Sequence, residues 1–213
     1  MKVLKLDSKF WVDLPPQVTA DEILETIKKA AKEASKLLKI SPKLTIIVKP
    51  NLPHIIDATG TGASTYDAEL LDITFDPKRA SEKNFLSDIY ASVYHELNHA
   101  ARFNDEKLKH DKSIDWIIAE GVATAFERDY VKYRPLWGRY DDKEVGKWAK
   151  ELNDLKENFR WDHYMFKHPD GRLWIGYKVG TYIVDRAMAN SGKSIIELTQ
   201  TPSSEILKLS KVL

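Results

Sequence analysis

The spacing of apolar and polar residues changes along the chain, and it predicts short strands first and helices later. Alternating apolar positions before Pro15 and Pro16 predict a first strand; they are Val3, Leu4, Leu6, Phe10 and Val12. Runs rich in β-branched residues predict two further strands, over residues 44–48 and 70–75. Between them, the small residues of 59–64 are typical of a turn or of backbone presented at a sheet edge.

Helical signals begin at Thr19 and Glu22, which have the spacing of a capping box. Apolar residues recur at helical intervals after that cap: Ile23, Ile27, Ala30, Ala31, Ala34, Leu37 and Leu38. Later periodicity predicts helices over residues 82–103, 114–133, 143–158, 176–190 and 203–212, with irregular stretches over 104–112, 134–142 and 159–175. We therefore expect an α+β fold. Residues 1–213 should form one domain, with the sheet in 1–80 and a mainly helical part in 81–213.

Charge excludes some classes of partner. The chain has 33 basic and 32 acidic residues and a net charge of +1, so it offers no broad attraction to nucleic acid or to acidic lipid. No apolar run approaches the ~20 residues that span a bilayer. We expect a cytoplasmic protein that binds neither nucleic acid nor membranes, and the sequence leaves its oligomeric state open.

The chain contains no cysteine, so a metal site would have to use imidazole and carboxylate ligands. One segment, His95-Glu96-Leu97-Asn98-His99, has the H-E-x-x-H pattern and lies inside a predicted helix. Residues four apart lie on the same face of a helix, so both imidazoles can reach one ion. Glu96 points about 100° away from His95, which suits a general base. The pattern predicts a catalytic zinc site.

A third protein ligand is expected, because catalytic zinc usually has three and keeps one position open. Glu120 is the candidate, because it lies in an apolar segment where an unpaired carboxylate is costly to bury. The predicted cofactor is one Zn²⁺ per chain, although nickel or cobalt would accept the same ligands. A structural zinc is less consistent with a chain that has no thiols.

An alternative interpretation requires no metal. In it, His95 and His99 are ordinary half-buried residues, Glu96 is solvated, and Arg128 or a lysine pairs with Glu120.

From about residue 60 to the C-terminus, the chain resembles the YjaZ-like predicted zinc-dependent proteases, which are similar to gluzincins. The resemblance lies in four segments: residues 62–77, the helix that carries His95, Ala119-Glu120-Gly121-Val122-Ala123, and Gly176-Tyr177-Lys178-Val179-Gly180. It implies a zincin-like fold with the metal site on two packed helices. The implied site has His95, His99 and Glu120 as ligands and Glu96 as general base, in agreement with the spacing.

The predicted activity is hydrolysis of peptide bonds by a zinc-activated water, with Glu96 as base. The developing oxyanion needs a further donor, and Tyr177 is the first candidate; alternatively, it is only a packing aromatic. Gly176 and Gly180, four residues apart, predict that its helix packs closely against a neighbour. Weaker candidates for the donor are Tyr182, His163 and Arg186. A metal-bound histidine usually donates the N–H of its second ring nitrogen to a nearby group. The candidates for that group are Asp115, Thr124, Asp129 and His110.

The expected substrate is a peptide or protein, which could pair with an exposed sheet edge at residues 62–65. Two alternatives stay open. The chain could be a catalytically silent module that binds peptides or acts like a chaperone. It could also be a zinc hydrolase of a non-peptide amide or ester, which the same residues would serve.

Overall fold

The computed structural model describes residues 1–105, 108, 112–132, 135–155 and 160–213. The chain divides into two compact units, Met1–Asn104 and Asp105–Leu213. One domain over residues 1–213 stays a prediction.

The first unit is built on a four-stranded mixed sheet with the order β1-β2-β4-β3. Its strands are β1 (Lys2–Lys5), β2 (Thr45–Val48), β3 (Thr61–Thr65) and β4 (Leu70–Phe75). The pairs β1/β2 and β2/β4 are parallel, whereas β3 runs antiparallel to β4 and lies at an edge. The predicted α+β class, with a small sheet near the N-terminus and helices after it, is confirmed.

Two helices complete this unit, α1 (Ala20–Ala34) and α2 (Phe85–Phe103). Helix α1 begins at the predicted capping box, in which the Thr19 hydroxyl accepts from the backbone N–H of Glu22 and the Glu22 carboxylate accepts from that of Thr19. Helix α2 packs against α1, β3 and β4. The Tyr90 hydroxyl of α2 donates to the carboxylate of Glu33 on α1. These contacts fix α2, which carries the H-E-x-x-H segment, on the sheet.

The second unit is helical in its described part. Its helices are α3 (Ser113–Val131), α4 (Asp142–Leu155), α5 (Trp161–Met165), α6 (Ile175–Ser191), α7 (Ile195–Thr199) and α8 (Ser203–Ser210). Helix α6 packs against α3, α4, α5 and α8. Arg128 of α3 donates two hydrogen bonds to the carboxylate of Asp185 on α6, at 2.9 and 3.0 Å. Tyr140 donates to the same carboxylate, so one acidic group ties three segments together.

Several predicted boundaries were wrong. Phe10 and Val12 lie in a 3-10 helix, Lys9–Asp13, rather than in the first strand, which ends at Lys5. Helix α5 falls within the predicted irregular stretch 159–175, because five residues are too few for periodicity to reveal a helix. The helix α7 was missed although Ser194 and Glu197 form a capping box before it. The predicted helix ends at residues 133 and 158 lie outside the described residues.

Within the described residues, the structure contains no helix with the length and apolar character that a membrane span requires.

Candidate metal centre

His95 and His99 lie one turn apart on α2 with their rings turned toward each other. Their Nε2 atoms are 3.2 Å apart, and the ring centroids are 5.0 Å apart. Both residues are buried, with 8% and 6% of their surfaces exposed. Burial of two polar imidazole rings side by side costs free energy unless the rings share a ligand or a hydrogen bond.

The distance between the two Nε2 atoms agrees with the distance between two nitrogen ligands of one zinc ion. Two nitrogens bound to a tetrahedral ion at ~2.0–2.1 Å lie about 3.3 Å from each other. The observed 3.2 Å therefore matches two ligands of one ion without any change in the helix. Neutral imidazole is also a preferred donor for zinc, so both the chemistry and the spacing of the pair fit the metal.

Glu120 is half-buried on α3, between the buried residues Ala119 and Gly121. Its carboxylate belongs with the two imidazoles to a group whose ligand atoms all lie within 4.8 Å of one another. Such a group, with two nitrogens and one oxygen, could hold a metal ion. It has the composition of a catalytic zinc site with three protein ligands.

Glu96, the residue after His95 on α2, is buried, with 7% of its surface exposed. The Thr65 hydroxyl lies 2.7 Å from Glu96 Oε2 and 3.0 Å from the main-chain oxygen of the same residue. The alternative interpretation expected a solvated Glu96, and that expectation is wrong. A buried carboxylate held by a hydroxyl has the setting of a functional group rather than of a surface residue.

Arg128, which that alternative named together with a lysine as a partner of Glu120, has different partners. Its guanidinium donates to Asp129 through Nε, at 2.8 Å, and to both carboxylate oxygens of Asp185. The two parallel N–H···O bonds to Asp185 match the planar guanidinium group to the carboxylate. Arg128 is thus a structural cation of the second unit and does not neutralise Glu120.

Comparison with known proteins adds family membership. The family model described as Predicted Zn-dependent protease (DUF2268) matches residues 20–208 of the chain. The chain belongs to this family. The match begins well before residue 60, where the sequence resemblance was expected to begin. Searches of curated proteins and of solved structures gave no match.

In this member of the family, Tyr177 is the third residue of α6 and is half-buried. The predicted close packing of its helix is confirmed. A Cβ built on Gly180 would lie 2.0 Å from the main-chain oxygen of Ile117 on α3, and one on Gly176 would lie 2.2 Å from the sulfur of Met165. The role of Tyr177 as an oxyanion donor stays a prediction.

The weaker donor candidates have varied surroundings. Tyr182 packs edge-on against Tyr140, with ring centroids 5.6 Å apart, and Arg186 is exposed on α6. His163 lies in α5, partly exposed, and its Nε2 is 3.9 Å from a carboxylate oxygen of Asp162.

The four candidate partners of the ligand histidines also differ. Asp115 accepts from the Lys112 N–H at the start of α3, and Asp129 accepts from Arg128. The Thr124 hydroxyl is buried and has no hydrogen-bond partner within the described part of the chain. His110 lies outside the described residues. A partner among these four stays a prediction.

The edge strand β3 is partly covered by the chain that precedes it. The Ile56 N–H donates to the Thr61 carbonyl, and a Cβ on Gly62 would lie 2.2 Å from the His54 carbonyl oxygen. His54 is held in turn by Asp72 of β4, at 2.8 Å between Nε2 and Oδ1. We name residues 54–56 the covering segment. It closes the first half of the β3 edge.

Asp72 also fixes the residue that follows β3. The Tyr66 hydroxyl donates to Asp72 Oδ2 at 2.6 Å, so both carboxylate oxygens are used and Asp72 is 4% exposed. This hydrogen bond, followed by burial and the charge of the carboxylate, raises the pKa of Tyr66 to about 12. Sequence reasoning did not find this cluster, because its members are 6 and 18 residues apart and form no local motif.

Proposed function

We propose that the protein is a zinc metallopeptidase, with His95, His99 and Glu120 as metal ligands and Glu96 as general base. The observation that carries the proposal is the 3.2 Å separation of the two imidazole nitrogens on one buried helix face. Membership in a family described as Predicted Zn-dependent protease supports it. A donor set suited to zinc and the buried carboxylate of Glu96, next to one of its histidines in the sequence, support the proposal.

In the proposed reaction, Glu96 and Tyr177 have separate roles beside the metal. Zinc, when bound, supplies Lewis acidity toward a water and toward a substrate carbonyl. Glu96 would accept a proton at one carboxylate oxygen and later donate it to the leaving nitrogen of the substrate. Its burial keeps most of its surface out of contact with bulk water. Tyr177 would donate a hydrogen bond to the oxyanion that develops on the substrate.

The second half of the β3 edge is the proposed binding place for substrate backbone. The Thr61 carbonyl points outward to the covering segment, whereas the Tyr66 N–H points inward to Leu70. Because these directions alternate along an antiparallel strand, Ala63 and Thr65 present their N–H and C=O groups outward. An extended peptide could add there as a further strand. The adjacent Thr65 contacts Glu96, so such a peptide would lie beside the proposed base.

The proposal is tested by metal content and peptide hydrolysis, measured on the wild-type protein and on Glu96→Gln. Glutamine keeps the size of the side chain but cannot act as a base, so both proteins should hold one zinc per chain and only the wild type should cleave a mixed peptide library. Zinc without cleavage would favour a peptide-binding module or a hydrolase of another amide or ester. Absence of metal in the wild type would refute the site.

A further inference from the structure

We infer that Thr65 is a positioning residue that holds the Glu96 carboxylate in its catalytic orientation. Its catalytic consequence rests on the proposed function, but the contact itself does not. The Thr65 hydroxyl lies 2.7 Å from Glu96 Oε2 and 3.0 Å from the Glu96 main-chain oxygen. The hydroxyl has one proton, which it can donate to either acceptor or share between them, and because both acceptors belong to Glu96 the bond connects β3 to that residue in each case.

The contact distinguishes the two carboxylate oxygens. Thr65 engages Oε2, which leaves Oε1 without this hydrogen bond and makes it the oxygen that we propose for proton transfer. A glutamate side chain has three rotatable bonds and loses much rotamer freedom when it is fixed. A charge-assisted hydrogen bond of 2.7 Å offsets part of that loss and keeps one rotamer. The base is thereby oriented before substrate arrives, which is the condition for efficient proton transfer.

Thr65 is itself held from both sides of the strand. It pairs with Leu71 of β4, and the next residue, Tyr66, donates its N–H to the Leu70 carbonyl at 2.9 Å. The Tyr66 side chain is anchored on Asp72 at 2.6 Å. Successive side chains of a strand point to opposite faces. Thr65 therefore contacts Glu96 on one face at the end of β3, and Tyr66 contacts Asp72 on the other. The hydroxyl therefore has a fixed position from which to hold the carboxylate.

The same strand end thus serves two purposes. Its outward N–H and C=O groups are proposed to bind substrate backbone, and its Thr65 hydroxyl holds the base. A peptide that pairs with Ala63 and Thr65 would lie beside the Glu96 carboxylate. Thr65, one of the two residues that bind the peptide, would also orient that carboxylate. Substrate alignment and base alignment would then share one rigid element.

A double-mutant cycle in the metal-free full chain tests the contact without any assay of activity. Thr65→Val keeps the shape and removes the hydroxyl, and it should lower the equilibrium constant for folding about fivefold to tenfold in the wild-type background. In a Glu96→Ala background the hydroxyl keeps only the main-chain acceptor at 3.0 Å, so the same change should lower that constant clearly less, by at least about twofold, than in the wild-type background. Equal effects in the two backgrounds would overturn the inference, whatever the activity of the protein.

Kinetics test the catalytic consequence. Thr65→Val should lower kcat about tenfold to a hundredfold, with KM and zinc content unchanged, and Thr65→Ser should restore kcat to within about threefold. Thr45→Val is the matched control, because it makes the same change on β2, where the hydroxyl donates to the Lys43 carbonyl at 3.5 Å and to no other group in the described part of the chain. An unchanged kcat in Thr65→Val, or a fall accompanied by loss of zinc, would overturn the positioning role. If the wild type cleaves no peptide, the proposed function fails and the folding cycle alone decides the contact.

Discussion

Gly121 of α3 and Gly180 of α6 meet backbone to backbone. A Cβ built on Gly121 would lie 2.1 Å from the carbonyl carbon of Gly180, and one on Gly180 would lie 2.0 Å from the Ile117 carbonyl oxygen. No side chain larger than hydrogen fits between the helices at this point. The close approach holds α3, and therefore Glu120, against the helix that carries Tyr177.

We expect Gly121→Ala and Gly180→Ala to destabilise the protein by more than about 2 kcal/mol, because each methyl group would meet main-chain atoms that cannot move aside cheaply. Gly146→Ala is the control, since it lies in α4 with no atom within 4 Å of the added methyl group. That change should stabilise by about 0.5–1 kcal/mol through lower chain entropy. Urea unfolding of the three variants measures both effects, and equal stabilities would contradict the packing argument.

Ionisation of the Tyr66 phenol should make the free energy of unfolding fall with rising pH in the alkaline range. Its pKa is raised from the ordinary value of 10.0 to about 12 by the hydrogen bond to Asp72, so the folded state holds the phenolic proton more tightly than the unfolded state. The resulting stabilisation is complete below pH 10 and is lost as the pH rises toward 12. Wild type should therefore lose more stability than Tyr66→Phe across this window. Unfolding midpoints between pH 9 and about 12 measure the difference, and parallel curves would exclude the effect.

Tyr177→Phe should lower turnover about a hundredfold while zinc content stays unchanged, because the variant loses the proposed donor to the oxyanion and keeps the aromatic ring. Tyr130→Phe on α3 is the matched control, since its side chain is 39% exposed. Steady-state kinetics and metal analysis of both variants provide the measurement. A rate equal to that of the wild type would remove Tyr177 from the mechanism.

Ala63→Pro should raise KM for peptides about tenfold, because it deletes the outward N–H that we propose as a donor to substrate backbone. Proline is tolerated on edge strands when its missing N–H would face away from the ladder, so the fold should survive. Unfolding curves check that point. Short amides that do not reach the strand edge serve as the control, and their KM should not change. An unaltered KM for long peptides would place the substrate elsewhere.

Sequence reasoning succeeded where the signal is local. The capping box at Thr19 and the helix that contains His95 and His99 both depend on residues within one or two turns of each other. It also anticipated that residues 62–65 form a sheet edge. The pairing of Thr65 with Glu96 spans 31 residues and leaves no trace in periodicity. That pairing depends on how β3 packs on α2, which local propensity does not encode.

The two edges of the sheet are protected in different ways. β1 carries the exposed lysines Lys2 and Lys5, whose charges oppose pairing with another strand. On β3, the covering segment occupies the edge at Thr61, and among the described residues the pairing at this edge stops there, which leaves the last three residues of the strand. Such a stretch is too short to start a continuous sheet between molecules. We therefore expect the protein to resist self-aggregation through either edge of its sheet.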